Sequence, residues 1–299
     1  MKIAVLGSTG IQGGEAVKKL VGRKDIEIVC TSSSKKIVGN IEDAEGVIVA
    51  LQHKEAMEQI PYLPGSIKFV FDLSGAYRLK DPEAYPKWYG FEHTHPHLLK
   101  YAVYGLPEIN RALIGKTWLI SVPGCYETAI ILGLNPLIRL GLVDSLIRVN
   151  ALSGYTGAGK DAKIPKRITP YKSGIQHQHI PAIKQELKFN GKLFFFPEIG
   201  SFPRGILARI MVKTKKSLTK EELNGIYKEI YQNEPFVRVK EEVRIDEVLE
   251  TNFCHMACYK KGEWVEIDVV IDNLGKGGAW QAIQNLNIVL GLPETTGLL

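Results

Sequence analysis

In the first third of the chain, apolar residues form short runs, and a segment in which they have helical spacing lies between the first two runs. Four such runs are bounded by turn residues, as buried strands are: Lys2 to Gly7, Ile26 to Cys30, Gly46 to Leu51 and Ile67 to Leu73. Between the first two, apolar residues recur on one side of a helix predicted for residues 13–21. Strands that alternate with helical connections predict a parallel, doubly wound sheet of the Rossmann type.

From Val143 onward the apolar residues occur in longer alternating runs, such as SLIRVNALSGY, KLFFFPEIG and GILARIMVKT. Alternation with a period of two predicts a mixed or antiparallel sheet with one solvated face. Helices are predicted for residues 220–233 and 279–290. The change of pattern predicts two domains: an α/β domain of residues 1–124 and 276–299, and an α+β domain of residues 125–275.

The composition is that of a globular protein and narrows the functional class. Of the 299 residues 45% are apolar and 23% are charged, and the net charge is +6. This excess suits anionic substrates and gives no basic tail for nucleic acid. The sequence shows no signal-peptide pattern and no apolar run of about 18 residues, the length of a transmembrane helix. With only four cysteines, we expect a cytoplasmic location.

A glycine-rich turn follows the first predicted strand. GSTGIQGG places Gly7, Gly10 and Gly13 at the mouth of the first helix, with Ser8 and Thr9 inside the turn. Glycines there let the backbone approach a pyrophosphate, whose charge is met by the amides of the helix N-terminus. The alternative is a tight strand-to-helix turn without a ligand. The strand and helix on either side favour a dinucleotide site.

The end of the second strand bears on the choice of coenzyme. An NAD site normally has Asp or Glu there, whereas this chain has CTSSSKK. Ser32, Ser33 and Ser34 offer hydroxyls, and Lys35 and Lys36 offer positive charge. These groups suit a 2′-phosphate, so we predict NADP(H); the alternative is a solvated polar loop.

Cys125 stands in SVPGCYETAIILGL, where Pro123 and Gly124 predict a turn and residues 128–134 continue as a helix. The unpaired amides of a helix N-terminus lower the pKa of a thiol, which makes it a better nucleophile. A cysteine in this position is otherwise a small core residue. Spacing alone leaves both interpretations open.

At this point the chain resembles the N-acetyl-gamma-glutamyl-phosphate reductases of arginine biosynthesis, together with relatives that reduce carrier-bound acyl phosphates. The resemblance runs in order over almost the whole length, through DLSGAYRLKDPEAYPKWYGFEH, AVYGLPEINR, VPGCYETA, SGYTGAGK, HQHIPAIKQEL, FPRGILARI, IDNLGKGGAWQAIQNLN and GLPETTGLL. It implies an NADPH-dependent acyl-phosphate reductase, with NADP bound by the first predicted domain and with catalysis and dimerisation in the second. A homo-oligomer is expected on the same ground.

The resemblance also implies catalytic roles. A cysteine thiolate attacks the acyl phosphate, phosphate leaves, and NADPH reduces the thioester to a semialdehyde; Cys125 takes the nucleophile's place. HQHIPAI supplies His177 and His179, and histidine serves as acid and base near neutral pH. We predict His177 as the acid and base and His179 in substrate contact. A metal site is not expected, because these two histidines lack further ligands at suitable spacing.

Binding residues are implied by the matching segments as well. Substrate contacts are expected from Arg78, Lys160 and Ser153, with a solvated surface charge as the alternative for the two cations; Arg204 is expected to be structural. In SGYTGAGK the hydroxyls of Ser153 and Thr156 suit a phosphate or the coenzyme, and a mobile loop is the alternative. The coenzyme contacts that the resemblance implies are Gly7, Ser8, Thr9, Gly10, Gly13, Ser32, Ser33, Ser74, Gly157, Asn273 and Lys276.

Three features depart from the family's pattern. Residues 31–46 are shorter than in the family, which weakens the prediction of NADP. Glu127 replaces a small residue or proline, and its carboxylate would oppose thiolate formation unless it points away or pairs with a cation. The basic stretch from Lys160 to Lys172 offers a docking place for a small acidic carrier protein, so the substrate can be free or carrier-bound.

Two rival functions remain at this point. Aspartate-semialdehyde dehydrogenase shares the chemistry and architecture but not these segments. A non-enzymatic ligand sensor would use the glycine turn and a metal at CHMAC, which contains Cys254 and Cys258. The alternation in FCHMACYK instead predicts a strand with buried cysteines.

Overall fold

The computed structural model describes residues 1–33, 36–159 and 164–299, and the chain divides into two compact units. Residues 1–124 and 278–299 form the first unit, and residues 125–277 form the second. Each unit is built on a seven-stranded sheet within the described ranges. Among the helices that these ranges contain, none is long and apolar enough to cross a membrane.

The first unit contains seven strands and five helices within the described residues. Its elements are β1 (Lys2–Leu6), α1 (Ile11–Leu20), β2 (Glu27–Ser32), β3 (Ile37–Gly39), β4 (Gly46–Val49), α2 (His53–Gln59), β5 (Phe69–Asp72), α3 (Tyr85–Tyr89), β6 (Ala102–Tyr104), α4 (Pro107–Ile114), β7 (Leu119–Ser121) and α8 (Ala279–Val289).

Six of these strands are parallel, in the order β2-β1-β4-β5-β7-β6, and β3 adds an antiparallel edge next to β2. The parallel, Rossmann-type sheet predicted from the sequence is confirmed. The antiparallel edge follows from the short connection between β2 and β3: the four residues 33–36 have room for a hairpin, whereas a parallel crossover normally needs a dozen or more residues. Helix α8 packs on α1, where the Gln12 amide oxygen accepts a hydrogen bond from Ala279 N at 2.8 Å.

The loop after β5 is held by a buried aromatic cluster. The ring of Tyr85 lies between those of Tyr89 and His93, at centroid distances of 5.4 and 4.7 Å. His93 Nε2 makes a 2.9 Å hydrogen bond with the carbonyl oxygen of Ala76. Burial lowers the pKa of His93 to about 4, so the ring stays neutral at pH 7. The cluster therefore fixes the segment that carries Ser74 and Arg78.

We expect His93 to make the stability of the protein depend on pH. Its folded-state pKa lies below the ordinary value of 6.5, so the unfolded chain binds the proton first and stability falls as the pH drops from about 6.5 towards 4. The loss should be about 2 kcal/mol. Urea unfolding of His93→Phe at pH 7 and pH 4.5 should show a correspondingly smaller decrease than the wild type. An equal decrease in both proteins would exclude His93 as the cause.

The second unit contains seven strands and three helices among the described residues. They are α5 (Cys125–Arg139), β8 (Val143–Ser153), β9 (Thr169–Pro170), α6 (His179–Glu186), β10 (Lys192–Ile199), β11 (Ile206–Thr214), α7 (Lys220–Tyr231), β12 (Val237–Val239), β13 (Cys254–Lys261) and β14 (Trp264–Ile271).

The sheet of the second unit is mixed and runs in the order β12-β13-β14-β11-β8-β10-β9, as its alternating sequence predicts. The β13-β14-β11-β8 core is antiparallel, while β8 pairs with β10 and β12 with β13 in parallel. Helix α5 packs on β11 and β14. Its Gly133 has no room for a side chain, since a Cβ there would lie 2.5 Å from Ile210 Cδ1.

The CHMAC segment lies in β13, and both of its cysteines are buried and unbridged. Burial raises the pKa of Cys258, so this thiol stays protonated and inert. The described part of the chain contains no group of three or more His, Cys, Asp or Glu side chains suited to a metal ion. The prediction of a strand with buried cysteines is confirmed.

Candidate active site

The glycine turn of the first unit is tightly closed. Gly7 has a φ of +77°, and a Cβ on it would lie 2.3 Å from the carbonyl oxygen of Ala50. A Cβ on Gly13 would lie 2.2 Å from the carbonyl oxygen of Gly7. Helix α1 starts after Gly10, whose backbone is the N-cap and supplies no side-chain cap. The turn thus brings backbone amides to a helix N-terminus in the arrangement that binds a pyrophosphate.

A cavity of about 290 Å³ opens beside this turn. Gly7 and Gly10 line one side, and Ser32, Ser33, Ala50 and Glu55 are among the residues around it. Ser8 is tied to the end of β2, because its amide and its hydroxyl both donate to Ser32 O, at 2.8 and 3.0 Å. Ser32 and Ser33 therefore lie at the same cavity as Gly7 and Gly10, and their contact with the coenzyme stays a prediction. Ser34 and Lys35 lie outside the described residues.

Ser74 and Arg78 lie in the loop that follows β5. Ser74 N donates to Asp72 Oδ1 at 2.8 Å, and the Ser74 hydroxyl accepts from Ala76 N at 3.0 Å. Arg78 is buried, and its Nη2 donates to the carbonyl oxygens of Ser74 and Val122, at 2.8 and 2.9 Å. These bonds attach the loop to the segment that precedes Cys125 in sequence. The substrate contact predicted for Arg78 stays a prediction.

Cys125 is the first residue of α5 and is partly exposed. The predicted placement of the thiol at a helix N-terminus is therefore met by the local structure, although its role as the nucleophile stays a prediction. The backbone of Gly277 lies against the cysteine: a Cβ at that position would be 2.8 Å from Cys125 Cβ and 3.0 Å from Asn273 Cα. Glycine at 277 allows the close approach that sets the position of the thiol.

Gly277→Ala should therefore displace Cys125. We expect a loss of about 1–3 kcal/mol in unfolding free energy and a fall in turnover of about tenfold or more, because a shift of about 1 Å at a reacting group is costly. Gly225→Ala is the matched control, since nothing described lies within 4 Å of that position on α7. Alanine should stabilise that helix by up to about 1 kcal/mol and leave turnover unchanged. Equal turnover in the two variants would contradict this account of Gly277.

His177 and His179 lie together at the start of α6. Their ring centroids are 4.5 Å apart, with the ring planes at 69°. The backbone N–H of His179 donates to His177 Nδ1 at 3.2 Å. Burial and the neighbouring His179 lower the pKa of His177 to about 2, so its ring is neutral.

Glu127 lies in the first turn of α5, with its side chain fully buried. Its Oε1 is 3.8 Å from His179 Nε2, which places a carboxylate and an imidazole as neighbours on facing helices. The sequence left open whether this carboxylate points away from the site or pairs with a cation. The structure places it beside a histidine.

Aromatic side chains that were not predicted from the sequence surround the two histidines. Tyr126 meets His177 edge-on at 5.9 Å, and its hydroxyl donates to Glu198 O at 3.0 Å. Phe195 lies 4.9 Å and Tyr171 5.6 Å from the His177 ring. Burial raises the pKa of Tyr171, and the charge of Cys125 adds to the rise. The phenol of Tyr171 and the two histidines are thus close together. In the sequence, Tyr126, which directly follows Gly124 and Cys125, is the signal that indicates this group of aromatic residues.

The loop after β14 forms a buried polar network. Asn273 accepts a hydrogen bond from Gly205 N at 2.7 Å and donates to the Thr156 hydroxyl at 3.0 Å. Arg204 Nε donates to Asp272 Oδ2 at 2.9 Å. This agrees with the structural role expected for Arg204. The Asn273 amide ties two loops together, so its predicted coenzyme contact stays a prediction.

The remaining residues predicted to bind the substrate or the coenzyme lie in several different elements of the structure. Ser153 ends β8, and its buried hydroxyl donates to Gly154 O at 3.0 Å. Gly157 follows in a 3-10 turn, Lys276 is fully buried, and Thr9 is exposed in the glycine turn. Lys160, predicted to contact the substrate, lies outside the described residues.

Two family models match the chain. Residues 37–117 match the NAD binding domain of semialdehyde dehydrogenases, and residues 125–273 match the semialdehyde dehydrogenase dimerisation domain. The second match spans the element that begins with Cys125 and the network around Asn273.

Curated proteins similar to the chain over its full length are named N-acetyl-gamma-glutamyl-phosphate reductase. The protein of Geobacter metallireducens is 37% identical and that of Clostridium novyi 39% identical; each alignment covers 100% of this chain and 98% of the relative. The protein of Dehalococcoides mccartyi is 35% identical, with 99% and 97% covered.

Solved structures of aspartate-semialdehyde dehydrogenases share the fold. The enzyme II of Vibrio cholerae, solved in complex with ASA, matches with a TM-score of 0.72 over 97% of this chain and 98% of its own. The Francisella tularensis enzyme matches with a TM-score of 0.71, covering 97% and 100%. Both are 13% identical to this chain, so the likeness concerns the fold alone.

Proposed function

The chain belongs to the N-acetyl-gamma-glutamyl-phosphate reductase family, and we propose that it reduces N-acetyl-gamma-glutamyl phosphate to N-acetylglutamate 5-semialdehyde, with release of phosphate. The observation that carries the proposal is the position of Cys125. A partly exposed thiol begins a helix, the backbone of Gly277 lies against its Cβ, and the same unit contains a pair of neighbouring histidines. This is the chemistry that covalent acyl transfer to sulfur requires.

In the proposed reaction Cys125 Sγ attacks the carbonyl carbon of the acyl phosphate. A carbon–sulfur bond forms, the bond to the phosphate oxygen breaks, and phosphate leaves. NADPH, when bound, supplies the hydride that reduces the thioester. An imidazole of the histidine pair accepts the thiol proton and donates a proton to the oxygen that becomes negative during reduction. When the carbon–sulfur bond then breaks, the semialdehyde is released and the hydroxyl proton passes by way of the imidazole to the sulfur, which restores the thiol.

A nicotinamide coenzyme is supported by the match of residues 37–117 to an NAD binding domain. The choice of NADP is our proposal. It is supported by the hydroxyls of Ser32 and Ser33 at the cavity, where an acidic side chain at the end of β2 would suit NAD instead. Glu55 also lines this cavity and is the feature that opposes the choice.

We further propose that the first unit binds the coenzyme and that the second carries catalysis and the contact between two copies in a homo-oligomer. The description of the matched second domain as a dimerisation domain supports this division.

A cytoplasmic location is proposed because a nucleophilic thiolate needs a reducing compartment. The free acetylated substrate is proposed over a carrier-bound one, since the relatives above are named for the acetylated compound.

The activity is tested in the oxidative direction, because the acyl phosphate is unstable. The purified protein is given N-acetylglutamate semialdehyde, phosphate and either NADP or NAD, and reduced coenzyme is followed by absorbance. We expect phosphate-dependent turnover with the acetylated compound that exceeds turnover with aspartate semialdehyde by at least about a hundredfold. Higher activity with aspartate semialdehyde would instead assign the rival function suggested by the shared fold.

A further inference from the structure

We propose that Glu127 is a positioning residue that holds His179 as the acid and base of the reaction, which reverses the roles predicted for the two histidines. The inference rests on the proposed function, because it assigns the proton carrier of that same reaction. It is drawn from three observations in the second unit: a buried carboxylate, its neighbour on α6, and the hydrogen bonding of the other ring.

The first observation concerns the carboxylate. Glu127 is fully buried and lies two residues after Cys125 on the same helix. A charged carboxylate in such a place needs compensation by a cation or by hydrogen bonds. His179 Nε2, 3.8 Å from Glu127 Oε1, is close enough for a strong electrostatic interaction. Glu127 thus favours the protonated form of His179, and as long as the ring is neutral it favours the tautomer with its proton on Nε2.

The second observation concerns His177. Its Nδ1 accepts the backbone N–H of His179, so the lone pair of that nitrogen is already engaged. In the neutral ring the proton is then on Nε2. Protonation of Nδ1 would break the bond that begins α6. His177 therefore has no basic nitrogen available without local rearrangement, whereas His179 with Nε2–H has Nδ1 as its basic nitrogen.

The third observation concerns the surroundings of His179. From α5 it faces Glu127 and Tyr126, whose ring centroid is 6.2 Å away. From the preceding loop it faces His177, and Lys172 and Tyr171 lie around that ring. Within this set Glu127 is the carboxylate and His177 is neutral. His179 is the ring that lies against this carboxylate, whereas Lys172 acts on the ring of His177.

The role assigned to His179 follows from this arrangement. Its Nδ1 accepts the proton of the Cys125 thiol when sulfur attacks, and the resulting imidazolium is stabilised by Glu127. The same proton is then given to the carbonyl oxygen as hydride adds to the thioester carbon. In this scheme the carboxylate of Glu127 assists the thiolate indirectly, by stabilising the imidazolium that forms when the thiol loses its proton.

Protonation of the rings is measured directly, without substrate. Protein labelled with ¹⁵N-histidine is titrated between pH 4 and 9, and long-range NMR spectra follow the imidazole nitrogens, with His179 assigned from His179→Asn. The pH of half-protonation of His179 should fall by about one unit or more in Glu127→Gln. Glu127→Asp should retain part of the effect. Asp268→Asn, which removes another buried carboxylate of the unit, should leave His179 unchanged.

Turnover supplies the second measurement. In the oxidative direction His179 must be neutral to accept a proton, so the acidic limb of the kcat profile should move to lower pH in Glu127→Gln, with KM for the semialdehyde little changed. His179→Asn should lower kcat by about a hundredfold or more, and His177→Asn by less than about tenfold.

The outcomes separate the two proposals. An unchanged half-protonation of His179 in Glu127→Gln, or a larger loss of kcat in His177→Asn than in His179→Asn, would overturn the inference. Wild-type protein that lacks turnover with the acetylated semialdehyde would overturn the proposed function instead, and the NMR titration would still decide whether Glu127 controls the charge of His179.

Discussion

Cys125→Ser should lower kcat of the phosphate-dependent oxidation by about 10⁴-fold while the dissociation constant of the coenzyme stays within a factor of two. A serine hydroxyl is scarcely ionised at neutral pH, so the nucleophile is lost although the side chain keeps nearly the same shape. The cavity proposed for the coenzyme lies around Gly7, Gly10 and Ser32 in the first unit, and serine at 125 removes none of those residues.

The other cysteines provide the control. Cys254 is buried in β13 and has no part in the proposed reaction. Cys254→Ala should cost some stability by leaving a small cavity, but kcat should remain within twofold of the wild type. Retention of more than a tenth of the activity in Cys125→Ser would rule out covalent catalysis by this thiol.

The second large effect is expected at the glycine turn. Gly13→Ala would put a methyl group 2.2 Å from the carbonyl oxygen of Gly7, and real Cβ contacts are never that short. The turn and the start of α1 must move apart, which removes the backbone amides from the pyrophosphate. We expect coenzyme affinity to fall by about a hundredfold or more, equivalent to about 3 kcal/mol.

Gly14, the next residue in the chain, provides the matched control for this test. A Cβ there would lie 3.6 Å from the Ser8 carbonyl oxygen, an ordinary contact, so Gly14→Ala should bind coenzyme like the wild type. Binding is measured by the change in protein fluorescence on titration with NADPH. The melting temperature and circular dichroism of Gly13→Ala show whether the variant is folded. A folded Gly13→Ala variant with wild-type affinity would contradict the assignment of the turn to the coenzyme.

The sequence predicts much of the first sheet because its buried strands are bounded by turn residues. β1, β2, β4 and β5 each occupy an apolar run recognised from the pattern. β6 and β7 were not predicted, since three residues are too few to show a period. β3 was not predicted either, because its three residues are exposed and pair only along one edge.

The candidate site likewise contains features that the sequence predicts and a contact that it does not predict. The position of Cys125 follows from a local signal, a turn of Pro and Gly before a helix, and the glycine turn is equally local. The approach of Glu127 to His179 joins two helices that are far apart in sequence, and periodicity carries no information about such a pair. The sequence indicated Glu127 as a departure from the family's pattern and His179 as a substrate contact, whereas the pairing of the two depends on the packing of α5 against α6.

The covalent intermediate is the central claim, and trapping it is the most direct test. Protein mixed with N-acetylglutamate semialdehyde and NADP in the absence of phosphate should produce a burst of one NADPH per active site and then stop, because the acyl group stays on sulfur until phosphate removes it. Mass spectrometry of the digested protein should find that group on the peptide containing Cys125, and addition of phosphate should release it. A burst without modification of Cys125, or steady turnover without phosphate, would contradict the account.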